Sequence, residues 1–273
     1  FRGAIMHFVV CAKQIPDPDT PPSAFKIDEA KNEVIPAPGI SPVLSQFDGI
    51  AAEAALRIKE KLGDVKITVI SLGKESAQAA IKQVLAMGAD EGLLLEDDAF
   101  ENGDHYTTAL VLSEAIKKLG DVDAIFCGRQ AADWDMGQVG IGIAQLLEIP
   151  CAIIGKDVDI ADGKMTVQRV LLDGFETVEM PLPAVATVSN ELGEPRYPKL
   201  QQIMQAAKKT VNKWSLADFE NLDASQVGEQ GRKLKLEKLF IPTSDSEVEI
   251  IEGETAQEQA SALVARLKDA KIL

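Results

Sequence analysis

The sequence predicts an α/β fold built on a doubly wound, mostly parallel sheet, extended by antiparallel hairpins and a C-terminal arm. From Ile5 to about Pro150, short β-branched runs alternate with longer helical patterns, the rhythm of parallel strands joined by crossover helices. After Cys151 the pattern changes to adjacent strands linked by turn residues, which reads as antiparallel pairing.

The first strand is HFVVCAKQI, residues 7–15. Residues 16–42 are too rich in proline for a central element, although FKID and NEVI can pair as a small edge hairpin. In SQFDGIAAEAALRIKEKLG, Phe47, Ile50, Ala51, Ala54, Ile58 and Leu62 recur three or four apart, which makes the core stripe of a helix. Strand VKITVISLG, helix ESAQAAIKQVLAMG, strand GLLLED, helix DHYTTALVLSEAIKKLG, strand DAIFCG and helix GQVGIGIAQLLEIP follow. Ser45 with Asp48, and Asp135 with Gln138, have capping-box spacing, while Gly63, Gly88 and Gly120 follow the last apolar helical positions. The second half reads as strands KDVDI, KMTVQRVLL, FETVEM and AVATVS, with hairpin turns at Asp162-Gly163 and Asp173-Gly174. NELGEPRYPKL leads into helix QQIMQAAKKT, and Thr255 with Glu258 caps a final helix. These readings divide the chain into a nucleotide-binding α/β domain over residues 1–213, with a loop near 191–209, and a C-terminal arm and helix over 214–273.

The 273 residues carry 28 basic and 43 acidic side chains, a net charge of −15. Such a surface repels phosphate backbones and anionic lipid, which argues against nucleic acid and membrane as partners. No apolar run reaches the roughly 18 residues of a membrane span, and FRGAIMHFVV lacks the pattern of a signal peptide, so a cytoplasmic protein is expected, with Met6 as its natural start. Cys11, Cys127 and Cys151 have no paired spacing, and His7 and His105 are the only histidines. Disulfide frameworks, zinc sites and iron–sulfur sites are therefore disfavoured. A P-loop, a nucleophile-elbow serine and a zinc-protease helix are all missing, and GIGIAQ lacks the third glycine of the dinucleotide fingerprint.

The most informative stretch is CGRQAADWDMGQVG, where a parallel strand ends and a helix begins, the place at which open α/β sheets bind ligands. Gly128, Gly137 and Gly140 permit close backbone approach, and the amides of Gly137, Gln138 and Val139 suit a phosphate. Asp133 and Asp135 oppose phosphate unless Asp135 caps the helix and Asp133 bonds ribose hydroxyls or a partner, with Arg129 as the local positive charge. A solvated loop is the alternative. Cys11, Ala12 and Lys13 form a second edge of the same crevice, Lys13 as a donor to phosphate or flavin oxygen, while Cys11 taken alone reads rather as a small core residue. Ser45 to Asp48 and Ser71 to Gly73 meet that crevice in a doubly wound sheet, though capping and turn formation also explain them. Asp104, His105, Thr107 and Thr108 open another helix, whose hydroxyls and amides suit a pyrophosphate, with capping by Asp104 an equally good account. Leu200, Ile203 and Met204 beside Lys199, Lys208 and Lys209 suit partner docking, or else a half-buried helix.

Taken together and in order, VVCAKQIPD, SQFDGIAAEAALRIKEK, LAMGAD, CGRQAADWDMGQVG and LGEPRYPKLQQIM resemble the β subunit of electron transfer flavoproteins over nearly the whole chain. The resemblance implies an adenine-nucleotide α-hydrolase-like fold and a heterodimer with an FAD-carrying α subunit, on which the arm and final helix pack. It also implies a crevice in the β subunit holding AMP or a second FAD. Carried over by motif, the cofactor contacts fall on Cys11, Ser45, Gln46, Phe47, Asp48, Leu72, Thr108, Gly128, Arg129, Gln130, Ala131, Ala132, Asp133, Met136, Gly137, Gln138 and Val139, to which the strand end and helix start read above add Ala12, Lys13 and Asp104. The family's recognition loop falls on PRYPKLQQIM, with Leu200 as the anchor for an acyl-CoA dehydrogenase, supported by Ile203 and Met204. Val139 replaces the threonine of AMP-binding members, and GQVG resembles bacterial members that carry FAD and bifurcate electrons from NADH. DWDMGQVG nevertheless departs from their DGDTAQVG, and His105 replaces the first of a threonine pair whose second member is Thr108. The balance favours FAD over AMP. A universal-stress-type nucleotide-binding protein is the rival reading, but it would lack the proline-rich loop, the EPRY loop and the arm. A hydrolase or nucleotidyl transferase of the same fold would need a phosphate-gripping signature near the first strand, which VVCAKQIPDPD does not supply.

Overall fold

The computed structural model describes residues 5–243 and 248–273. The first four residues of the expected nucleotide-binding domain, and residues 244–247 of the expected arm, lie outside the described residues. The chain forms two compact units, residues 1–238 and 239–273.

In the first unit, β1 (Met6–Cys11) is followed by β2 (Gln14–Ile15), β3 (Lys26–Asp28), β4 (Glu33–Ile35) and β5 (Val43–Leu44). The β3–β4 pair is the expected small hairpin, and β2 pairs with β5 to close the proline-rich insertion at its base. Three crossovers come next: α1 (Gln46–Leu62) to β6 (Val65–Leu72), α2 (Gln78–Met87) to β7 (Glu91–Leu95), and α3 (His105–Leu119) to β8 (Ala124–Gly128). After α4 (Val139–Leu147) come β9 (Cys151–Ala161), β10 (Lys164–Leu171), β11 (Gly174–Pro181) and β12 (Ala184–Val188). Helix α5 (Leu200–Lys208), β13 (Val211–Trp214) and the single turn α6 (Gly228–Gly231) complete this unit.

The nine-stranded sheet runs β11-β10-β9-β12-β8-β1-β6-β7-β13. Its strands from β12 to β13 are parallel, and β10 is antiparallel to both β9 and β11. From β1 the chain winds outward to β6 and β7, then returns to place β8 on the other side of β1. The winding direction therefore reverses between β1 and β8, a topological switch point. One face of the sheet packs Phe8, Val10, Ile67 and Phe126 against α1 and α2. The other packs Val9, Ile70, Ile125 and Cys127 against α3 and α4, joined by Phe219, Leu222 and Val227.

Local signals meet the structure at several joins. Gly63, Gly88 and Gly120 end α1, α2 and α3 with positive φ of 88°, 134° and 74°, a conformation that glycine adopts without steric cost. Asp162 and Gly163, with φ of 50° and 74°, form the first hairpin turn. The second turn falls one residue earlier than its sequence suggests. Leu171 pairs with Gly174, so Leu172 and Asp173 make the turn and Leu172 is fully exposed. The stripe of α1 is buried through Ile58, whereas Leu62 at the last position is exposed.

In the second unit, α7 (Ala256–Asp269) starts at Thr255, whose hydroxyl accepts a hydrogen bond from the Glu258 N–H as its capping spacing predicts. No residue of α7 is buried. Among the described residues, no helix is long and apolar enough to cross a membrane, and no group of His, Cys, Asp and Glu could hold a metal ion.

Candidate functional site

The C-terminal ends of β1 and β8 are adjacent, and the loops leaving them depart to opposite faces of the sheet. Such a divergence is where open α/β sheets form a ligand crevice, and the sequence-predicted residues Cys11 to Lys13, Ser45 to Asp48 and Gly128 to Val139 lie on these strand ends and on the segments and helix starts that follow them.

Asp48 holds the floor together. Its two carboxylate oxygens accept hydrogen bonds from the backbone N–H of Lys13 (2.8 Å) and of Gly128 (3.2 Å), so one side chain of α1 ties the ends of β1 and β8. Gly128 is required for this approach, because a Cβ there would lie 2.6 Å from Asp48 Oδ1 and 2.7 Å from Phe47 Cβ. Gly140 plays a similar part at the start of α4, where a Cβ would meet Thr187 Cγ2 at 2.7 Å. The closeness of both glycines is thus taken up within the protein. Burial pushes the Asp48 carboxyl up to about 7 against the lowering effect of its two backbone hydrogen bonds. Since its unfolded value is 3.8, folding takes up a proton between about pH 4 and 7, and stability from this group falls as pH rises through that window. Replacing Asp48 by Asn, which cannot ionise, should flatten the fall in Tm between about pH 5 and 7. A Tm–pH profile identical to that of the unaltered protein would assign the slope to other groups.

Ser45 stands at the N-cap of α1, but its hydroxyl caps nothing; it is fully buried and has no hydrogen-bond partner. The capping box expected of Ser45 and Asp48 is therefore not formed, because Asp48 serves Lys13 and Gly128 instead. Ser71, at the end of β6, is a second buried hydroxyl without a partner. Asp135 is likewise not the cap of α4. It sits in a turn at φ 51°, accepting from Gln130 Nε2 (2.7 Å), and Gln138 takes the N-cap position without a side-chain cap. Two helix starts, of α1 and α4, thus flank the crevice with no side-chain acceptor on their first-turn N–H groups, the arrangement that favours phosphate or another electron-rich ligand edge.

Lys13 Nζ reaches across the crevice to both oxygens of Asp133 (2.8 and 2.7 Å). Arg129 is turned toward α1 and β12: its guanidinium lies 5.3 Å from the centroid of the Phe47 ring and donates to Ser189 Oγ at 3.1 Å. Cys11 and Cys127 are buried in the core between sheet and α3/α4. The Cys127 thiol is pushed up by its contact with Cys11 and by burial, so it stays protonated at neutral pH. Ala12 is buried, Gln46 exposed, and Leu72 half-buried beside Ser71. Gln130, Ala131, Ala132 and Val139 are half-buried along the β8–α4 loop, Met136 and Gln138 are exposed, and Gly137 turns that loop at φ 63°.

Asp104 is engaged elsewhere. It caps α3 in a full capping box with Thr107, and its other oxygen accepts from the N–H groups of Lys233 and Leu234 (2.6 and 2.8 Å). Thr108 is half-buried on the same helix. Leu200, Ile203 and Met204 are exposed together on α5, 73%, 41% and 58% accessible, with Tyr197 beside them. Sequence reasoning missed Trp134, half-exposed on the crevice loop next to Asp133, and the Glu53–Arg196 pair, whose members are 143 residues apart.

An adenine nucleotide fits the chemistry of this crevice. Two orphaned buried hydroxyls, two uncapped helix starts and a backbone turn at Gly137 offer donors for a base edge and phosphates. Comparison with known proteins bears on the same regions. Residues 39–219 match the electron transfer flavoprotein domain. The chain is 38% identical over 268 residues to an electron transfer flavoprotein subunit beta of Thermoanaerobacterium thermosaccharolyticum, covering 98% of this chain and 100% of that one. It is 36% identical to the caffeyl-CoA reductase-Etf complex subunit CarD of Acetobacterium woodii, again over 98% and 100%. To the acryloyl-CoA reductase electron transfer subunit gamma of Anaerotignum propionicum it is 30% identical over the same shares of the two chains.

Proposed function

The chain belongs to the electron transfer flavoprotein family, among its β subunits, and from that premise we propose that it pairs with an FAD-carrying α subunit and binds an adenine nucleotide, FAD in preference to AMP, in the β1/β8 crevice. The heterodimer then passes electrons between an acyl-CoA dehydrogenase and a second redox partner, with NADH as the donor if the pair of electrons is split. The observation that carries the nucleotide reading is the pair of buried, unpartnered hydroxyls, Ser45 Oγ at the uncapped start of α1 and Ser71 Oγ near the end of β6, the strand next to β1.

A bound flavin would supply the electron-carrying ring, whereas AMP would serve structure alone. The chain's own residues bind and orient. Asp48 fixes the spacing of the two strand ends, the α1 N–H groups would meet the base or ribose with the unpartnered Ser45 and Ser71 hydroxyls behind them, and the start of α4 would take phosphate. Val139 opens α4 without a hydroxyl, which suits the diester pyrophosphate of FAD better than the terminal phosphate of AMP. Lys13 and Asp133 neutralise each other across the opening. The apolar ridge of α5 docks the dehydrogenase, and α7, which buries none of its residues, packs on the α subunit. Two of the similar proteins are named as subunits of caffeyl-CoA and acryloyl-CoA reductase complexes, in keeping with a CoA-ester enzyme as partner.

The test is to purify the chain with its α subunit, denature the complex and quantify the nucleotides released. Two FAD per heterodimer are expected; one FAD with one AMP would make the complex a simple carrier, and no nucleotide from this subunit would refute the crevice assignment.

A further inference from the structure

Helix α5 exposes Leu200, Ile203 and Met204 but buries only Ala206. Nine residues with one small buried side chain supply too little burial and too few internal hydrogen bonds to hold a helix in place. Polar contacts at both ends do so instead. At the C-terminal end, Lys82 of α2 donates its ammonium to the carbonyls of Ala206 (3.1 Å), Ala207 (2.9 Å) and Lys209, where a helix leaves C=O groups unpaired and its dipole is negative. Lys209 returns the contact, donating to the carbonyls of Ala89 (2.7 Å) and Asp90 (3.3 Å) just after α2.

At the N-terminal side, Arg196 is gripped by α1. Its Nε and backbone N–H both donate to Glu53 Oε2 (2.7 and 3.1 Å), and its guanidinium also pairs with Glu60. Glu53 is buried, and a second donor, Arg57 Nε at 2.9 Å, holds it from the next turn. Burial alone would raise the Glu53 carboxyl, but hydrogen bonds from Arg196 and Arg57 more than offset this and hold it below its ordinary value, so the grip persists at neutral pH.

We propose that Lys82 and Arg196 are positioning residues for partner docking, locking α5 so that Leu200, Ile203 and Met204 present one preformed apolar ridge. This rests on the docking reading above. A preformed helix spares the encounter the ordering of a loose segment, while transfer inside the formed complex depends on the cofactors and not on these side chains.

The experiment uses the loaded heterodimer with an acyl-CoA dehydrogenase as the probe. Lys82→Met and Arg196→Gln should each raise KM for the dehydrogenase about five- to tenfold, with kcat and bound nucleotide unchanged. Lys82→Arg should restore most of the loss, and amide exchange over residues 200–208 should quicken in Lys82→Met. An unchanged KM in both variants, with or without faster exchange, overturns the proposal; so does a fall in kcat or in nucleotide content that accompanies the KM change. Leu200→Ala separates the two layers. If it too leaves KM unchanged, the docking reading itself fails; if it raises KM while Lys82→Met and Arg196→Gln do not, only the positioning role fails.

Discussion

Replacing Leu200 by Ala should lower kcat/KM for electron transfer to an acyl-CoA dehydrogenase by about 30- to 100-fold while leaving the bound nucleotide in place. The side chain is 73% exposed at the first position of α5 and contributes little to the fold, so truncation should change stability by no more than about 0.5 kcal/mol. Its energy lies in the complex. An apolar anchor seated in a partner's pocket typically accounts for about 2 to 3 kcal/mol of association, and every 1.4 kcal/mol is tenfold. Tyr197, Ile203 and Met204 surround Leu200 as exposed apolar neighbours and would exclude water around it. Stopped-flow oxidation of the reduced dehydrogenase by the loaded heterodimer, run beside nucleotide release from the same preparation, checks both halves. Equal rates for Leu200→Ala and the unaltered protein would remove α5 as the docking element.

What the sequence makes legible is what neighbouring residues decide. The glycines that end α1, α2 and α3, the Asp162-Gly163 turn and the Asp104 cap act over a few residues, and each sits where pattern places it. The crevice could be located because alternation of strands and helices implies a switch point, and the loop after β8 implies its rim. The roles of individual side chains were not legible, because their partners are distant in the chain. Asp48 has the spacing of a helix cap, yet it binds N–H groups 35 and 80 residues away. Glu53 carries no local mark, since only the folded chain brings Arg196 to it. Strand β13 is four residues long and is defined by pairing with β7 rather than by its own pattern, and the second hairpin turn moved by one residue because register, not the Asp-Gly pair, sets it.

Replacing Gly128 by Ala should have the largest effect on the crevice itself. The added methyl would stand 2.6 Å from Asp48 Oδ1, 2.7 Å from Phe47 Cβ and 2.8 Å from the Phe47 carbonyl carbon. Backbone is among the atoms struck, so no rotamer change relieves the overlap, and β8 must separate from the start of α1. Separation breaks the Gly128 N–H bond to Asp48 and leaves a carboxyl buried in the protein with only Lys13 N–H to satisfy it, a loss added to the overpacking cost. Together these predict a destabilisation of about 2 to 4 kcal/mol and release of the crevice nucleotide, read as a lowered Tm and a reduced nucleotide-to-protein ratio after gel filtration. Gly120→Ala is the matching control. Nothing lies within 4 Å of a Cβ there, and the backbone alone, at φ 74° and ψ −174°, opposes the substitution, so the cost should be about 1 to 3 kcal/mol of strain with the nucleotide retained. Full nucleotide retention in Gly128→Ala would show that the ends of α1 and β8 do not jointly form the binding floor.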